Sequence, residues 1–291
     1  MSRNEDIKIV AVMVIAISCL IYMMPYFAKD MKNRPVYEKL GYVPTGKVMK
    51  IALGEFRWLM GEYYTFKAIT YYGDIKPKVM SGKRIDIEYY NLYRIMETAI
   101  ILNPYHEDAY YFAQAVFPWD IGRVREVNSL LKYVFRYRKW DFKIPFFLGF
   151  NYSYFLKQYD KAALYYKKAA EISGNPFFAN LAAKCFYESG HTELGIIFLN
   201  YMIKGIRKKS IRQIYEKRLK ALEAIYTIEK AVLEYKKRFG YFPLDIKDLL
   251  VKGVLKTLPE DPYGGIFYLD RHGRVRTTSN LMERRAAKWK K

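Results

Sequence analysis

An uncharged stretch opens the hydrophobic pattern of the chain. Residues 9–28 contain no charged side chain, and Lys29, Lys32 and Arg34 follow directly. About 20 apolar residues are needed for a helix to cross the hydrocarbon core of a bilayer. The pattern predicts a transmembrane helix over 9–28, after an N-terminal tail over 1–8. A cleaved signal peptide is the alternative, and the long run without a small-residue cleavage site disfavours it.

Helical periodicity begins after a connector, predicted over 29–50 from its Pro and Gly residues. From 51 to 206, apolar and aromatic positions recur at helical spacing. Predicted helices cover 53–74, closed by Gly73, then 89–104, stopped by Asn103 and Pro104, and 106–117. Short helices joined by tight turns are typical of antiparallel helix pairs. The predicted fold class is therefore mainly α, with about three stacked pairs in this region.

Basic residues cluster where the periodic region ends. Between 204 and 220 there are eight Lys or Arg residues and a single acid, Glu216. They predict an amphipathic helix with a cationic face, assigned to a segment over 207–227. This basic patch consists of Lys204, Arg207, Lys208, Lys209, Arg212, Lys217, Arg218 and Lys220. A solvated outer face is the favoured interpretation, and contact with anionic lipid or nucleic acid is the alternative.

The pattern changes from helical to alternating near the end of the sequence. A helix ending at Gly240 and a short second helix are followed by two short alternating segments around a turn at 270–273. This order predicts a small helix-plus-β-hairpin module over 228–279, before a basic tail over 280–291. Because an isolated hairpin is marginally stable in water, we expect it to pack on the helix at 228–237.

Residues 145–176 resemble a tetratricopeptide (TPR) repeat. The positions that carry the resemblance, here called the TPR signature, are Leu148, Gly149, Tyr152, Tyr159, Ala162, Tyr166 and Ala169. One extra residue stands before Tyr159 relative to the repeat pattern. The resemblance implies stacked helix pairs whose concave surface binds a peptide or helix of a protein partner.

The C-terminal segment resembles the globular end of the major pseudopilins of type II secretion systems. The pseudopilin-like motif comprises Leu258, Pro259, Asp261, Pro262, Tyr263, Gly264 and Tyr268. The pilin N-terminus is missing, so assembly into a pseudopilus is not implied. Some pseudopilins bind calcium near this position, which makes Asp261 and Asp270 a candidate pair of ligands. Turn formation is the favoured role, because two carboxylates are few for a shell of six to eight oxygens.

Composition narrows the function classes. Lys and Arg number 50 against 29 Asp and Glu, a net charge of +21 that attracts polyanions without identifying one. Cys19 and Cys185 are too few for a disulfide framework or a zinc cluster. No nucleophile elbow, glycine-rich dinucleotide loop or His ligand pair occurs. We therefore expect neither an enzyme nor a cofactor. Nucleic acid is disfavoured as a partner because the repeat positions are aromatic or small rather than polar.

Taken over its whole length, the chain resembles bacterial membrane-anchored TPR proteins. The resemblance implies a scaffold for protein–protein interaction at the cell envelope, with a link to a secretion or pilus-type assembly. The basic flank after residue 28 favours a cytoplasmic body, but a large domain can override that rule. Because pseudopilin-like modules lie outside the cytoplasm, we predict a single-pass inner-membrane protein with an extracytoplasmic body. The partner's identity and the oligomeric state stay open.

Overall fold

A computed structural model describes residues 3–33, 40–83 and 85–281, with side chains from 10 to 26 in the first range. The chain divides into two compact units, 1–103 and 104–291. Helices form most of both units, and the second also holds a two-stranded sheet. The mainly α fold class is confirmed. The division at 103/104, where Pro104 follows a helix end, lies inside the region predicted as one repeat array over 51–206.

The first unit contains four α-helices in its described residues. They are α1 (Arg3–Asn33), α2 (Gly46–Leu53), α3 (Arg57–Met80) and α4 (Tyr89–Leu102), with a 3₁₀ turn at Gly54–Phe56. The prediction that Gly73 closes a helix is wrong, because α3 continues through it to Met80. The predicted connector also ends earlier, since α2 begins at Gly46.

The predicted transmembrane segment lies within α1, and its described side chains, from 10 to 26, are all exposed. Across the described ranges, no helix combines the length and the apolar character that crossing a membrane requires. The transmembrane part of the predicted fold is therefore not supported.

Close helix contact holds the first unit together. A Cβ on Gly61 in α3 would lie 2.7 Å from Cβ of Asn103, so this glycine lets α3 approach the end of α4. Gly46 at the start of α2 is similarly close to the side chain of Ile101. Thr98 donates a hydrogen bond of 3.2 Å to the carbonyl oxygen of Pro44. The prediction that Asn103 stops the helix is confirmed, since α4 ends at Leu102.

The second unit is a succession of helices that pack on their neighbours in sequence, from α5 to α11. The helices are α5 (Glu107–Asp120), α6 (Val124–Tyr137), α7 (Lys143–Phe150), α8 (Tyr159–Ser173), α9 (Pro176–Glu188), α10 (Thr192–Lys204), α11 (Lys209–Phe239) and α12 (Asp248–Val251). A π turn, Asn151–Phe155, extends α7. This serial packing is compatible with stacked helical repeats.

Helix α11 joins two segments that were predicted as separate. Its 31 residues contain most of the predicted basic segment 207–227 and the first helix of the predicted module 228–279. The buried stripe, with Leu222, Ile225, Ile228 and Val232, crosses the predicted boundary without a break. Because one continuous face is packed, the two segments form a single element. Gly240 ends it in the left-handed conformation, with φ of 80°, as expected.

The C-terminal hairpin has the predicted form. Strands β1 (Phe267–Leu269) and β2 (Val275–Thr277) are antiparallel, with Tyr268 opposite Arg276. Strand β2 contacts α11, which confirms the expected packing. Tyr187 in α9 donates a 2.9 Å hydrogen bond to the carbonyl oxygen of Val275. The hairpin is thus supported by two helices.

Candidate binding surface

Six partly exposed aromatic side chains lie on α5, α7 and the π turn, and together they are here called the aromatic face. Its members are Tyr111, Trp119, Phe147, Phe150, Tyr154 and Phe155. Tyr111, Trp119 and Tyr154 are each more than half exposed, at 53%, 54% and 51%. Single exposed aromatics need no explanation, but adjacent ones mark interaction surfaces. The aromatic face is therefore the candidate binding surface of the second unit.

Ring contacts join four members of the aromatic face around Trp119, and the other two form a separate pair. The Trp119 ring lies 4.9 Å from Phe155 and 5.6 Å from Tyr154, measured between centroids. Phe150 stacks on Tyr154 at 5.2 Å with nearly parallel planes. Tyr111 meets Phe147 edge to face at 5.8 Å. Such contacts stabilise the rings by about 0.5–1.5 kcal/mol per pair beyond their burial, and they leave flat surfaces available to a partner.

The π turn carries two of these rings, exposed Tyr154 and half-buried Phe155. Its defining bond runs from the backbone N–H of Leu156 to the carbonyl oxygen of Asn151, five residues earlier. A π turn adds one residue to a helix and is frequent at functional sites. It lies just before α8, where the sequence carries one residue more than the repeat pattern. The π turn thus accommodates the extra residue without breaking the helix pair.

A strained residue follows the π turn. Lys157 has a φ of +53°, which is uncommon for a residue with a side chain. Its Nζ atom lies 5.4 Å from the centre of the Tyr154 ring. Strain of about 1–3 kcal/mol persists only where the surrounding structure fixes it. Lys157 therefore supplies a positive charge at the border of the aromatic face.

Beneath the aromatic face, three buried amides connect its helices. Asn151 is fully buried, and its amide donates to Gln114 in α5 at 2.7 Å and to Asn128 in α6 at 2.8 Å. Gln114 donates back to Asn151 at 2.9 Å. Buried amides that bond to one another hold their helices in one arrangement, although Nδ2 of Asn128 has no hydrogen-bond partner among the described residues. This network fixes the first residue of the π turn against α5 and α6.

A second buried cluster joins α5 to the start of α7. Tyr110 donates a 2.6 Å hydrogen bond to Asp141, and Arg138 pairs with the same carboxylate at 2.8 Å. Burial, followed by the bond to Asp141, raises the pKa of Tyr110 well above its usual value. The phenol is therefore a permanent donor. At the edge of the cluster, Lys143 pairs with Glu107.

The TPR signature occupies the interior rather than the binding surface. Leu148, Ala162 and Ala169 are fully buried, Tyr152 and Tyr166 nearly so, and Tyr159 is half-buried. Gly149 allows α7 to approach α8 closely. These positions serve packing between α7 and α8, as the repeat resemblance implies, and Tyr159 alone among them is more than slightly exposed.

The basic patch is only partly a cationic surface. Six of its residues are exposed: Lys204, Arg207, Lys208, Lys209, Arg212 and Lys220. Lys217 is half-buried, and Arg218 is 6% exposed. The assignment of Arg218 to the cationic face is wrong, because it lies on the buried stripe of α11. Its guanidinium carbon is 5.0 Å from the Tyr263 ring, and Nζ of Lys217 is 4.9 Å from the same ring.

The pseudopilin-like motif forms the loop that leads into β1. Asp261 is 8% exposed, and its carboxylate accepts hydrogen bonds from the N–H of Tyr263 at 2.8 Å, from Ser279 at 2.6 Å and from the Thr277 hydroxyl. A Cβ at Gly265 would collide with this cluster. Asp261 therefore fastens the loop to the residues after β2.

Asp270 serves a second turn. One carboxylate oxygen accepts from the N–H groups of His272 and Arg274 at 2.9 Å each, and the other from Arg276 at 3.3 Å. Both Asp261 and Asp270 thus have the hydrogen bonds expected of turn residues. Nowhere in the described ranges do three or more His, Cys, Asp or Glu side chains come together as metal ligands.

Sequence reasoning missed the aromatic face. Its residues follow the same helical periodicity as core aromatics, so spacing alone assigns them to the interior. The extra residue before Tyr159 was the available signal, since an insertion in a repeat redirects the side chains around it. Comparisons of the chain with protein-family models, curated proteins and solved structures each give no match.

Proposed function

We propose that the protein is a helical scaffold that binds a segment of a protein partner through the aromatic face. The observation that carries this proposal is the contiguous group of rings around Trp119, half-exposed yet held by a buried amide network. Trp and Tyr are the residues on which binding energy concentrates at protein interfaces. A rigid aromatic surface loses little side-chain entropy when a partner binds.

Site-specific cross-linking in cells tests this function. A photoreactive phenylalanine replaces Tyr154, and the same group at exposed Tyr201 in α10 is the matched control. We expect an adduct from position 154 that is absent from position 201. The adduct should disappear in a Trp119→Ala background whose melting temperature is within a few degrees of the wild type. An adduct indifferent to Trp119→Ala would contradict the aromatic face as the binding surface.

Binding of anionic lipid or nucleic acid is a second candidate function. Six exposed basic residues between 204 and 220 favour it. Replacing Lys208, Lys209 and Arg212 by Gln should remove binding to anionic vesicles or RNA if this patch is responsible. If the wild type and the triple variant both bind weakly and both lose binding at moderate salt, the binding arises from the net charge of the chain and not from this patch.

The envelope assignment is a further part of the proposal. It rests on the sequence resemblances and on the exposed apolar side chains of α1, such as Ile15 and Leu20. Retention of the chain in carbonate-washed membranes would support attachment. Activity of alkaline phosphatase fused after Lys291 would support an extracytoplasmic body, because that reporter needs an oxidising compartment. Recovery of the chain in the wash would contradict membrane attachment. A phosphatase fusion that is stable but inactive would contradict an extracytoplasmic body.

A further inference from the structure

One edge of the hairpin has no backbone partner within the described part of the chain. The hairpin's hydrogen bonds include Asp270 N–H to Arg274 and Thr278 N–H to Ile266. Since bonded and non-bonded pairs alternate along an antiparallel ladder, Tyr268 and Arg276 form the bonded pair between them. The N–H and C=O groups of Phe267 and Leu269 must then point away from β2.

The opposite edge of the hairpin confirms this direction. Val275 is paired with Leu269 and points its carbonyl oxygen away from β1, where Tyr187 donates to it. A side chain of α9 therefore occupies the outer edge of β2 at Val275. The outer edge of β1, on the other side of the same ladder, carries two donors and two acceptors, one of each on half-buried Leu269 and one of each on Phe267, which is 7% exposed.

A cavity of about 690 Å³ borders β1. Its walls are the strand itself with the glycines before it, the segment 258–261 and the segment 244–247. Leu244 and Ile266 are 93% and 74% exposed at its rim. A new strand needs about 4.8 Å beside its neighbour and 3.3 Å along it per residue, so a cavity of this volume accommodates a short extended segment.

The charge at this cavity is opposite to that of the chain. Its lining carries Asp245, Glu260 and Asp261 against Lys247 alone, in a protein with a net charge of +21. Asp261 is occupied by its own hydrogen bonds. Asp245 and Glu260 are exposed and form no ion pair within the described ranges, and one oxygen of Asp245 accepts a 2.8 Å hydrogen bond from the N–H of Lys247. A local acidic site selects basic side chains.

We propose that the outer edge of β1 binds an extended, basic segment of a partner protein by β-augmentation. The partner strand exchanges hydrogen bonds with Phe267 and Leu269. Its apolar side chains pack against Leu244 and Ile266, and its Lys or Arg side chains reach Asp245 and Glu260. This surface is separate from the aromatic face, so either can be correct without the other.

Fluorescence anisotropy with the full chain tests the proposal, using a labelled peptide of alternating Lys and Val at about 0.15 M salt. A peptide with alternate backbone nitrogens methylated keeps the charge but cannot complete the ladder. We expect it to bind at least about ten-fold more weakly, because more than one hydrogen bond is lost. Equal affinity of the two peptides would overturn β-augmentation.

Substitutions on the chain provide the second arm. Leu269→Pro removes an N–H that β2 does not use, so the hairpin should persist while peptide binding is lost; Leu269→Val is the matched control. Glu260→Gln should weaken binding about two- to five-fold by removing one charge at the rim. Binding unaffected by Glu260→Gln and Asp245→Asn together would overturn the basic partner. If Leu269→Pro unfolds the hairpin, the difference in affinity between the unmethylated and the methylated peptide decides whether β-augmentation is correct.

Two other occupants would be distinguished by the same assay. If the chain's own residues 282–291 filled the edge, Arg284→Glu with Arg285→Glu would tighten peptide binding and overturn a separate partner. If a second copy filled it, the chain would self-associate and Leu269→Pro would abolish the association, which would also overturn the proposal. Peptide affinity unchanged by the tail substitutions, with a monomeric chain, supports the partner segment.

Discussion

Gly149 in α7 faces the ring of Tyr166 in α8 so closely that an added Cβ would lie 2.7 Å from the Cδ1 atom. Tyr166 is 3% exposed, and its hydroxyl lies 3.1 Å from that of Ser153. Burial and the hydroxyl contact leave the ring little room to move away from a methyl group. This contact sets the spacing of the two helices that carry the TPR signature.

Gly149→Ala should lower the free energy of unfolding by about 1–3 kcal/mol, the usual cost of overpacking a core. Gly205→Ala is the matched control, because its nearest neighbour would be 3.8 Å away and its φ is −86°. That change should be neutral or stabilise by up to about 1 kcal/mol. Urea denaturation of both variants checks the pair. Equal stability of the two would mean that the Gly149–Tyr166 contact does not constrain the helices.

The same contact shows what the sequence could predict. The pair Leu148 and Gly149, followed by Tyr166, fits a known packing rule, so the helix pair was predictable. Periodicity also identified α4 and the hairpin, since Pro104 and the turn at 270–273 are strong local signals. Arg218 was misplaced because a basic residue on a helix is usually exposed, and only tertiary packing by Tyr263 buries it. Gly73 failed to end α3 because a glycine with helical dihedral angles costs only about 1 kcal/mol.

Asn151→Ala should destabilise the second unit by about 2–4 kcal/mol, because it leaves the buried amides of Gln114 and Asn128 without their partner. Asn200→Ala, at an exposed position of α10, is the control and should change stability by less than about 0.5 kcal/mol. Thermal unfolding measures both. If Asn151→Ala were as stable as the control, the amide network could not be what fixes the aromatic face.

Glu229 in α11 should make stability depend on pH near neutrality. Burial raises the pKa of its carboxyl to about 7, opposed by a hydrogen bond from Thr192 and by the charge of Arg276. The folded state therefore holds the proton more tightly than the unfolded state, in which the pKa is about 4.5. The stabilisation of the folded state by this bound proton is complete below pH 4.5 and is lost as the pH rises through 7.

Between pH 4.5 and 7 this carboxyl lowers the free energy of unfolding by about 2–3 kcal/mol, after allowance for its partial exposure. Glu229→Gln keeps an acceptor for Thr192 and removes the titration, so its stability should vary less over this range. Glu223→Gln, at an exposed position of the same helix, should behave as the wild type. Urea denaturation midpoints of the three proteins, measured from pH 4 to about 8, show how the stability of each depends on pH. A profile for Glu229→Gln that parallels the wild type would contradict a proton held at this carboxyl.

Asp261 should stabilise the hairpin through hydrogen bonds and without calcium. Burial by itself would raise the pKa of this carboxyl, but the bonds from Ser279, Thr277, Tyr263 and Gly265 outweigh it and lower the pKa. The stabilisation is therefore present above the ordinary pKa of 3.8 and is lost as the pH falls through the lower folded-state value.

Asp261→Ala leaves buried hydroxyl and N–H donors unpaired and should lower the free energy of unfolding by about 2–4 kcal/mol. Glu260→Ala, at an exposed neighbouring position, is the control. Since both oxygens of Asp261 already accept hydrogen bonds, calcium and chelator should give the same melting temperature. A calcium-dependent rise that Asp270→Asn abolishes would instead establish the pair Asp261 and Asp270 as ligands.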